Sequence, residues 1–255
     1  MPMHEIEKAW KSACRVLLGE EIGGMEEYEG YLLKHLEPTD VKRSAISGRK
    51  ISISTPLFCG KAKFISNEER EAYDKMLRGQ KLDINKIKDI DSALEALAEK
   101  LYYAGNIVTG NSHEVEGSDG VHNSSFVYRS SEIYDSKYIA YSDAMRYGEY
   151  VFGSNWIAET KFAIKTYETH KVVRCMEAMR IATSSDCYYV AGVEGCLSCM
   201  FCFNQRNKRH LIGNLEFQRD EYAALRNKLV GEMRETLKAK KSVPTIVDMV
   251  SGKDG

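Results

Sequence analysis

Two segments of this chain carry residue types that do chemistry. His113-Glu114-Val115-Glu116-Gly117-Ser118-Asp119-Gly120-Val121-His122 gathers two histidines and three acids. These are nitrogen and oxygen donors for a metal, and Gly117 and Gly120 would let the backbone wrap around an ion. Eight residues separate His113 from His122, which is no established ligand spacing. The second segment, Cys196-Leu197-Ser198-Cys199-Met200-Phe201-Cys202, has the two-residue gaps of an iron–sulfur or zinc run. Ferredoxin spacing needs a fourth cysteine after three further residues, and Arg206 stands there. Phosphate-loop and hydrolase signatures are missing: Gly19-Glu20-Glu21-Ile22-Gly23-Gly24 is acidic and lacks the Lys-Ser/Thr pair, and no Gly-x-Ser-x-Gly elbow occurs.

The elements that must position these residues follow from a repeat. Counting in sixes, small residues recur at Ser112, Ser118, Ser124, Ser130, Ser136, Ser142, Gly148, Ser154, Thr160 and Thr166. Offset by three, Val115, Val121, Val127, Ile133, Ile139, Met145, Val151, Ile157 and Ala163 recur with the same period. A helix needs a period near 3.6 and a plain strand a period of 2, so a strict six predicts stacked supersecondary units. Phe126, Tyr138, Tyr150 and Phe162 alternate with Glu132, Ala144, Trp156 and Glu168, so the true unit is twelve residues. Such a coil is narrow, and its interior takes only Ser, Thr, Ala, Cys and slim aliphatics. It is similar to the small solenoids of insect antifreeze proteins in architecture alone, because ice-binding faces need Thr ladders and here the outward positions are aromatic. From 112 to about 205 the repeat predicts roughly eight coils, a rod of about 38 Å at the spacing of parallel strands.

The cysteines then fall into the two inward frames. Cys175, Cys187 and Cys199 continue the aliphatic frame, and Cys196 and Cys202 the small one. The reading taken is buried structural thiols, with a disulfide or a metal site as alternatives. The basic turn Asn204 to His210 reads as a solvated end rather than an anion or nucleic-acid contact. Leu211 to Phe217 and a helix over about 219–240 would cap the last coil.

The N-terminal third reads as helices with a short strand pair. Ile6, Ala9, Trp10, Ala13, Val16 and Leu17 lie at helical spacing before Gly19, and Met25, Tyr28, Leu32 and Leu36 make a second helix before Pro38. Lys50 to Ser54 alternates as a strand, to be paired with Lys61 to Ile65. Ser66-Asn67-Glu68-Glu69 and Ser92-Ala93-Leu94-Glu95 are capping boxes. The second would open a helix with Leu94, Leu97, Leu101 and Ala104 on one face and Gly105 as its stop.

The fold expected is α+β: a mainly helical region over 1–110, a right-handed-type β-solenoid of twelve-residue coils over 111–217, and a C-terminal capping helix and tail over 218–255. The 36 basic and 37 acidic residues nearly cancel, which argues against a main role in gripping nucleic acid. No run of eighteen apolar residues occurs, no secretory signal opens the chain, and seven cysteines is an odd count. Together these read as a cytoplasmic protein with free thiols and no membrane partner.

The chain resembles a group of conserved archaeal proteins of unknown function, of Thermoplasma type with a Ser/Tyr/Cys-rich solenoid half. The resemblance lies in Gly19 to Gly23, Ser44 to Gly48, Tyr138 to Ser142, Glu149 to Gly153, Ser185 to Tyr189 and Arg206 to Arg209. It implies no catalytic residue, cofactor or substrate. The function expected is a non-enzymatic, self-associating scaffold or binding protein of unknown ligand, with no cofactor. Phe126, Tyr138, Tyr150, Phe152 and Phe162 would form the interface of a homo-oligomer, their face being too apolar to stay open, with cover by the chain's own N-terminal helices as the alternative. The opposite face, with Glu132, Tyr134, Arg146, Glu168, His170 and Arg180, can meet water. The alternative is an enzyme or metal-binding protein with a site near His113 and His122, between the helices and the solenoid.

Overall fold

The computed structural model describes residues 2–37, 39–54, 62–81, 83–98 and 100–252. The fold is α+β, with N-terminal helices, about nine solenoid turns of twelve residues between 108 and 212, and a C-terminal helix. Among the described residues no helix is long and apolar enough to cross a membrane.

The coil is set by a local backbone rule. Every third residue from Glu114 to Gly213 adopts a positive φ, and most of them are not glycine. Each such residue turns the chain, so twelve residues make four short sides and return to register. The stacked sides pair in parallel, as in Val127↔Ile139↔Val151 and Cys175↔Cys187↔Cys199. Left-handed conformation costs an ordinary residue roughly 1–2 kcal/mol, so something must hold each corner.

The inward serines do much of this. Ser142 Oγ donates to the Ala140 carbonyl at 2.9 Å and accepts the Ser154 amide from the next coil at 3.2 Å. The same pair of bonds runs through Ser118, Ser124, Ser130 and Ser136, each accepting an amide twelve residues on at 2.9–3.1 Å. The hydroxyl thus occupies the place of a carbonyl acceptor at a turn. The aliphatic frame fills the space between: Val127, Ile133, Ile139, Val151 and Ala163 are fully buried.

Helix α1 (Pro2–Leu18) lies against one face of the solenoid, and α2 (Glu29–Leu33) follows after a 3-10 turn at Met25–Tyr28. The second helix is therefore shorter than its spacing predicts. Trp10 meets Phe152 edge-on at 5.3 Å and Tyr28 at 5.5 Å, while Tyr188 Oη donates to the Leu17 carbonyl at 2.9 Å. Gly153 is required here, since a Cβ on it would stand 2.8 Å from the Leu32 carbonyl oxygen.

This arrangement changes the reading of the aromatic face. Phe152 is buried by the chain's own helix, and Phe126, Tyr138, Tyr150 and Phe162 are half-buried against the same core. Those four rings stack along the coils at 5.1, 4.8 and 4.7 Å between centroids. The chain's own helix α1 therefore covers part of the face from which a subunit interface was expected.

The region between α2 and the solenoid contains strands as well as helices. β1 (Asp40–Arg43) pairs antiparallel with β2 (Lys50–Ile53), whereas β3 (Lys63–Ser66) pairs parallel with β4 (Tyr102–Gly105). The expected pairing of Lys50–Ser54 with Lys61–Ile65 is thus replaced, and Lys61 lies outside the described residues. Ser66 and Glu69 form the expected capping box, Ser66 N–H donating to Glu69 at 2.8 Å, ahead of α3 (Arg70–Arg78). Helix α4 spans Ile90–Ala98 and stops short, so Ala104 and Gly105 belong to a strand. Ser92 pairs reciprocally with Asp89, at 2.9 and 3.0 Å, rather than with Glu95.

At the far end, strand Arg209–Ile212 folds back on Leu215–Glu216 as an antiparallel pair. Helix α5 (Arg219–Lys240) then returns to α1, where Arg234 and Lys238 reach Glu20 at 2.6 and 2.8 Å. A short α6 (Ile246–Ser251), capped by Thr245 and Asp248, ends the described chain.

Ser142→Ala removes both bonds of one rung without changing the interior volume much. We expect it to lower the free energy of urea unfolding by ~1–3 kcal/mol, the cost of an unsatisfied buried amide and carbonyl. Ser142→Cys should lose less, because cysteines fill equivalent rungs further along. An Ala variant as stable as the parent would refute the role given to the hydroxyl.

Candidate functional site

The residues singled out for metal chemistry are placed apart in role. His113 is exposed and meets Phe126 edge-on at 5.6 Å. His122 Nδ1 lies 2.8 Å from Thr109 Oγ1. Asp119 is buried and accepts the Ile107 and Ser54 amides at 2.7 and 2.9 Å, pinning β2 and the chain entry to the first coils. Among the described residues no group of three or more His, Cys, Asp or Glu side chains is arranged to hold an ion.

The five C-terminal cysteines point inward and are buried and free, as is Cys14 on the buried face of α1. They repeat the serine bond: Cys202 Sγ donates to the Met200 carbonyl at 3.0 Å and Cys196 Sγ accepts the Lys208 amide at 3.4 Å. The bond with Cys187, with burial added, pushes the Cys199 thiol up to about 12, and burial alone dominates at Cys14. These thiols serve as packing groups. Cys59 lies outside the described residues.

A second buried cluster is polar. Lys165 and Glu177 stand at the same corner of adjacent coils and are fully buried. Lys165 Nζ donates to the carbonyls of Leu32, at 3.2 Å, and Lys34, and sits over the Tyr167 ring at 5.2 Å. Glu177 accepts the Tyr31 hydroxyl on one oxygen and the Ile246 amide, at 2.7 Å, on the other. Loss of water pushes the lysine down and the glutamate up from their ordinary values, each partly restored by the other's charge. Perturbed groups of this kind can mark an active site. Here every bond goes to the chain's own backbone and tyrosine, so the pair clamps α2 and α6 onto the solenoid.

The open surface lies on the side away from α1. Glu132, Ala144 and Trp156 form one outward ladder there, and Tyr134, Arg146 and Ala158 the next. The alanines leave a shallow depression of about 530 Å³ between the larger side chains. Trp156 forms one wall and is 69% exposed, whereas the chain's other tryptophan, Trp10, is 1% exposed. The Arg146 guanidinium lies 5.1 Å over the Tyr134 ring. Glu132 accepts the Tyr134 hydroxyl at 2.9 Å and the Ser54 hydroxyl at 3.0 Å, which fixes its carboxylate in place. That first bond favours the protonated phenol and raises the Tyr134 hydroxyl above its ordinary value.

No known family model, curated protein or solved structure matches this chain. The site must be judged from its own geometry. Sequence reasoning placed Glu132, Tyr134 and Arg146 on the wet face but passed over Trp156. The available signal was a tryptophan in a ladder otherwise filled by Glu, Ala, Gly, Arg and Asn.

The clamp is tested by a double-mutant cycle. Glu177→Gln should destabilise the protein by about 3–5 kcal/mol, because it strands a buried lysine. Lys165→Met added to it should recover part of that loss in chemical unfolding. Strict additivity of the two changes would show that the residues act independently.

Proposed function

We propose that the protein is a binding scaffold, a rigid β-solenoid that takes a ligand in the depression beside Trp156. The observation that carries this is Trp156, at 69% the most exposed large aromatic among the described residues, ahead of Tyr147 at 58% and Tyr103 at 50%. Burying an indole face is worth more than burying almost any other side chain, and on this solenoid the other large aromatic ladder is partly covered by α1. Around it stand a guanidinium and a carboxylate held by packing and hydrogen bonds, with alanines as the floor. A preformed mixture of apolar surface and a few aimed polar groups is the make-up of a ligand site. Stacked coils cannot move independently, so binding would need little reordering.

The second expected role, self-association through Phe126, Tyr138, Tyr150, Phe152 and Phe162, loses support because α1 lies on that side. A catalytic role near His113 and His122 is not favoured by any contact those residues make.

Two tryptophans in such different settings make the test direct. Acrylamide should quench Trp156 and spare Trp10, and Trp156→Phe should abolish the accessible component. Pools of saccharides, nucleotides and short peptides are then scored for protection of Trp156. Protection by a member of one pool, lost in Arg146→Met, supports the proposal. Failure of all three classes to protect Trp156 overturns it.

A further inference from the structure

We propose that the ligand of the Trp156 depression is a neutral glycan, bound with one sugar ring flat against the indole. This rests on the binding role proposed above and narrows it to a chemical class.

The polar groups select the class. Glu132 as a carboxylate can only accept hydrogen bonds, and Arg146 can only donate them. They belong to neighbouring ladders and face the same depression. A ligand touching both must offer donors and acceptors together. An anion such as a phosphate would satisfy Arg146 but meet repulsion from Glu132, and a cation would meet the reverse. Hydroxyl groups do both without net charge.

The apolar groups select the shape. Trp156 presents a flat face, and Ala144 and Ala158 leave the floor beside it level. The sugar ring has an apolar face of C–H bonds and a rim of hydroxyls, so it can cover the indole while its edges reach the charged pair. Glu132 and Trp156 are two coils apart in one ladder, about 10 Å at the spacing of parallel strands. That span exceeds one ring and suits a ring with its linked neighbour. The depression is open rather than enclosed, which admits a chain and not only a single sugar.

Neither Glu132 nor Arg146 is idle in the free protein. Glu132 has spare lone pairs beyond the two bonds it accepts, and Arg146 is exposed with its guanidinium face on Tyr134 and its N–H edge free to turn outward. Stacking on Tyr134 orients the guanidinium before a ligand arrives.

The test uses the full chain and a panel of neutral tri- to hexasaccharides built from glucose, mannose, galactose and N-acetylglucosamine. Titration runs to ~10 mM, because an open site with few polar contacts binds weakly. The readouts are protection of Trp156 from acrylamide and calorimetric affinity. The expected result is saturable binding of at least one glycan. Trp156→Ala should weaken it by roughly tenfold or more, the scale of one lost aromatic contact. Arg146→Met and Glu132→Gln should each weaken it too, at unchanged melting temperature for Arg146→Met. Should Glu132→Gln disturb folding through Ser54, the Arg146 variant carries the comparison alone. Binding of a nucleotide or peptide instead, lost in Trp156→Ala, would overturn the glycan assignment and keep the binding site. Glycan binding indifferent to Trp156→Ala would overturn the assignment as well. No protection by any ligand class would overturn both.

Discussion

The inward hydroxyls of the coils from Ser118 to Ser154 are the constraint on which the rest of the molecule depends. A coil that turns at every third residue cannot give each amide a carbonyl partner, and buried unpaired amides are among the costliest defects a fold can carry. Ser118, Ser124, Ser130, Ser136 and Ser142 supply the missing acceptors from within. The demand for a hydroxyl fixes one inward frame as small and polar, and the volume left over fixes the other as slim and aliphatic. The frame also holds residues without a hydroxyl, Gly148, Val172, Ala178 and Val190. Gly148 stands in the serine frame because Met145 fills its space, a Cβ there lying 2.2 Å from the Met145 sulfur. In the C-terminal half cysteine takes the same place, as a larger and weaker acceptor.

That constraint is also why so much of the fold was legible. An interior too narrow for variety imposes its period on the sequence, and both frames can be counted by eye from Ser112 to Thr166. The inward cysteines and the α5 cap follow from the same count. Elements outside the repeat lack such a rule. Leu94, Leu97, Leu101 and Ala104 have helical spacing, yet the three leucines are exposed and Ala104 sits in a strand. Gly105, taken for a helix stop, is glycine because Ile51 and the Ser52 backbone crowd its Cα. The partner of β2 was misassigned because strand pairing depends on chain segments brought together by the fold. Thr245-Ile246-Val247-Asp248 did carry a capping signature and could have given α6.

The candidate site was half legible for a related reason. Outward ladders tolerate any residue the solvent or a neighbour accepts, so their contents record use rather than architecture. Phe126 and its successors are half-buried, and which partner covers them could not follow from their spacing. The amphipathic face of α1, with Ile6, Trp10, Ala13 and Leu17 buried, answers it. Lys165 and Glu177 look like ordinary surface charges until α2 and α6 close over them. Trp156, by contrast, stays where the repeat puts it.

A scaffold stitched in this way should open only as a whole. Residue-resolved amide hydrogen exchange tests that claim most directly. The amides of Ser130, Ser136, Ser142, Ser154 and Thr166, each held by a hydroxyl twelve residues earlier, should exchange as slowly as those of the flanking paired strands. They should follow the global unfolding free energy as denaturant is added. Exchange of these amides at rates typical of surface loops, with the strands still protected, would contradict the account.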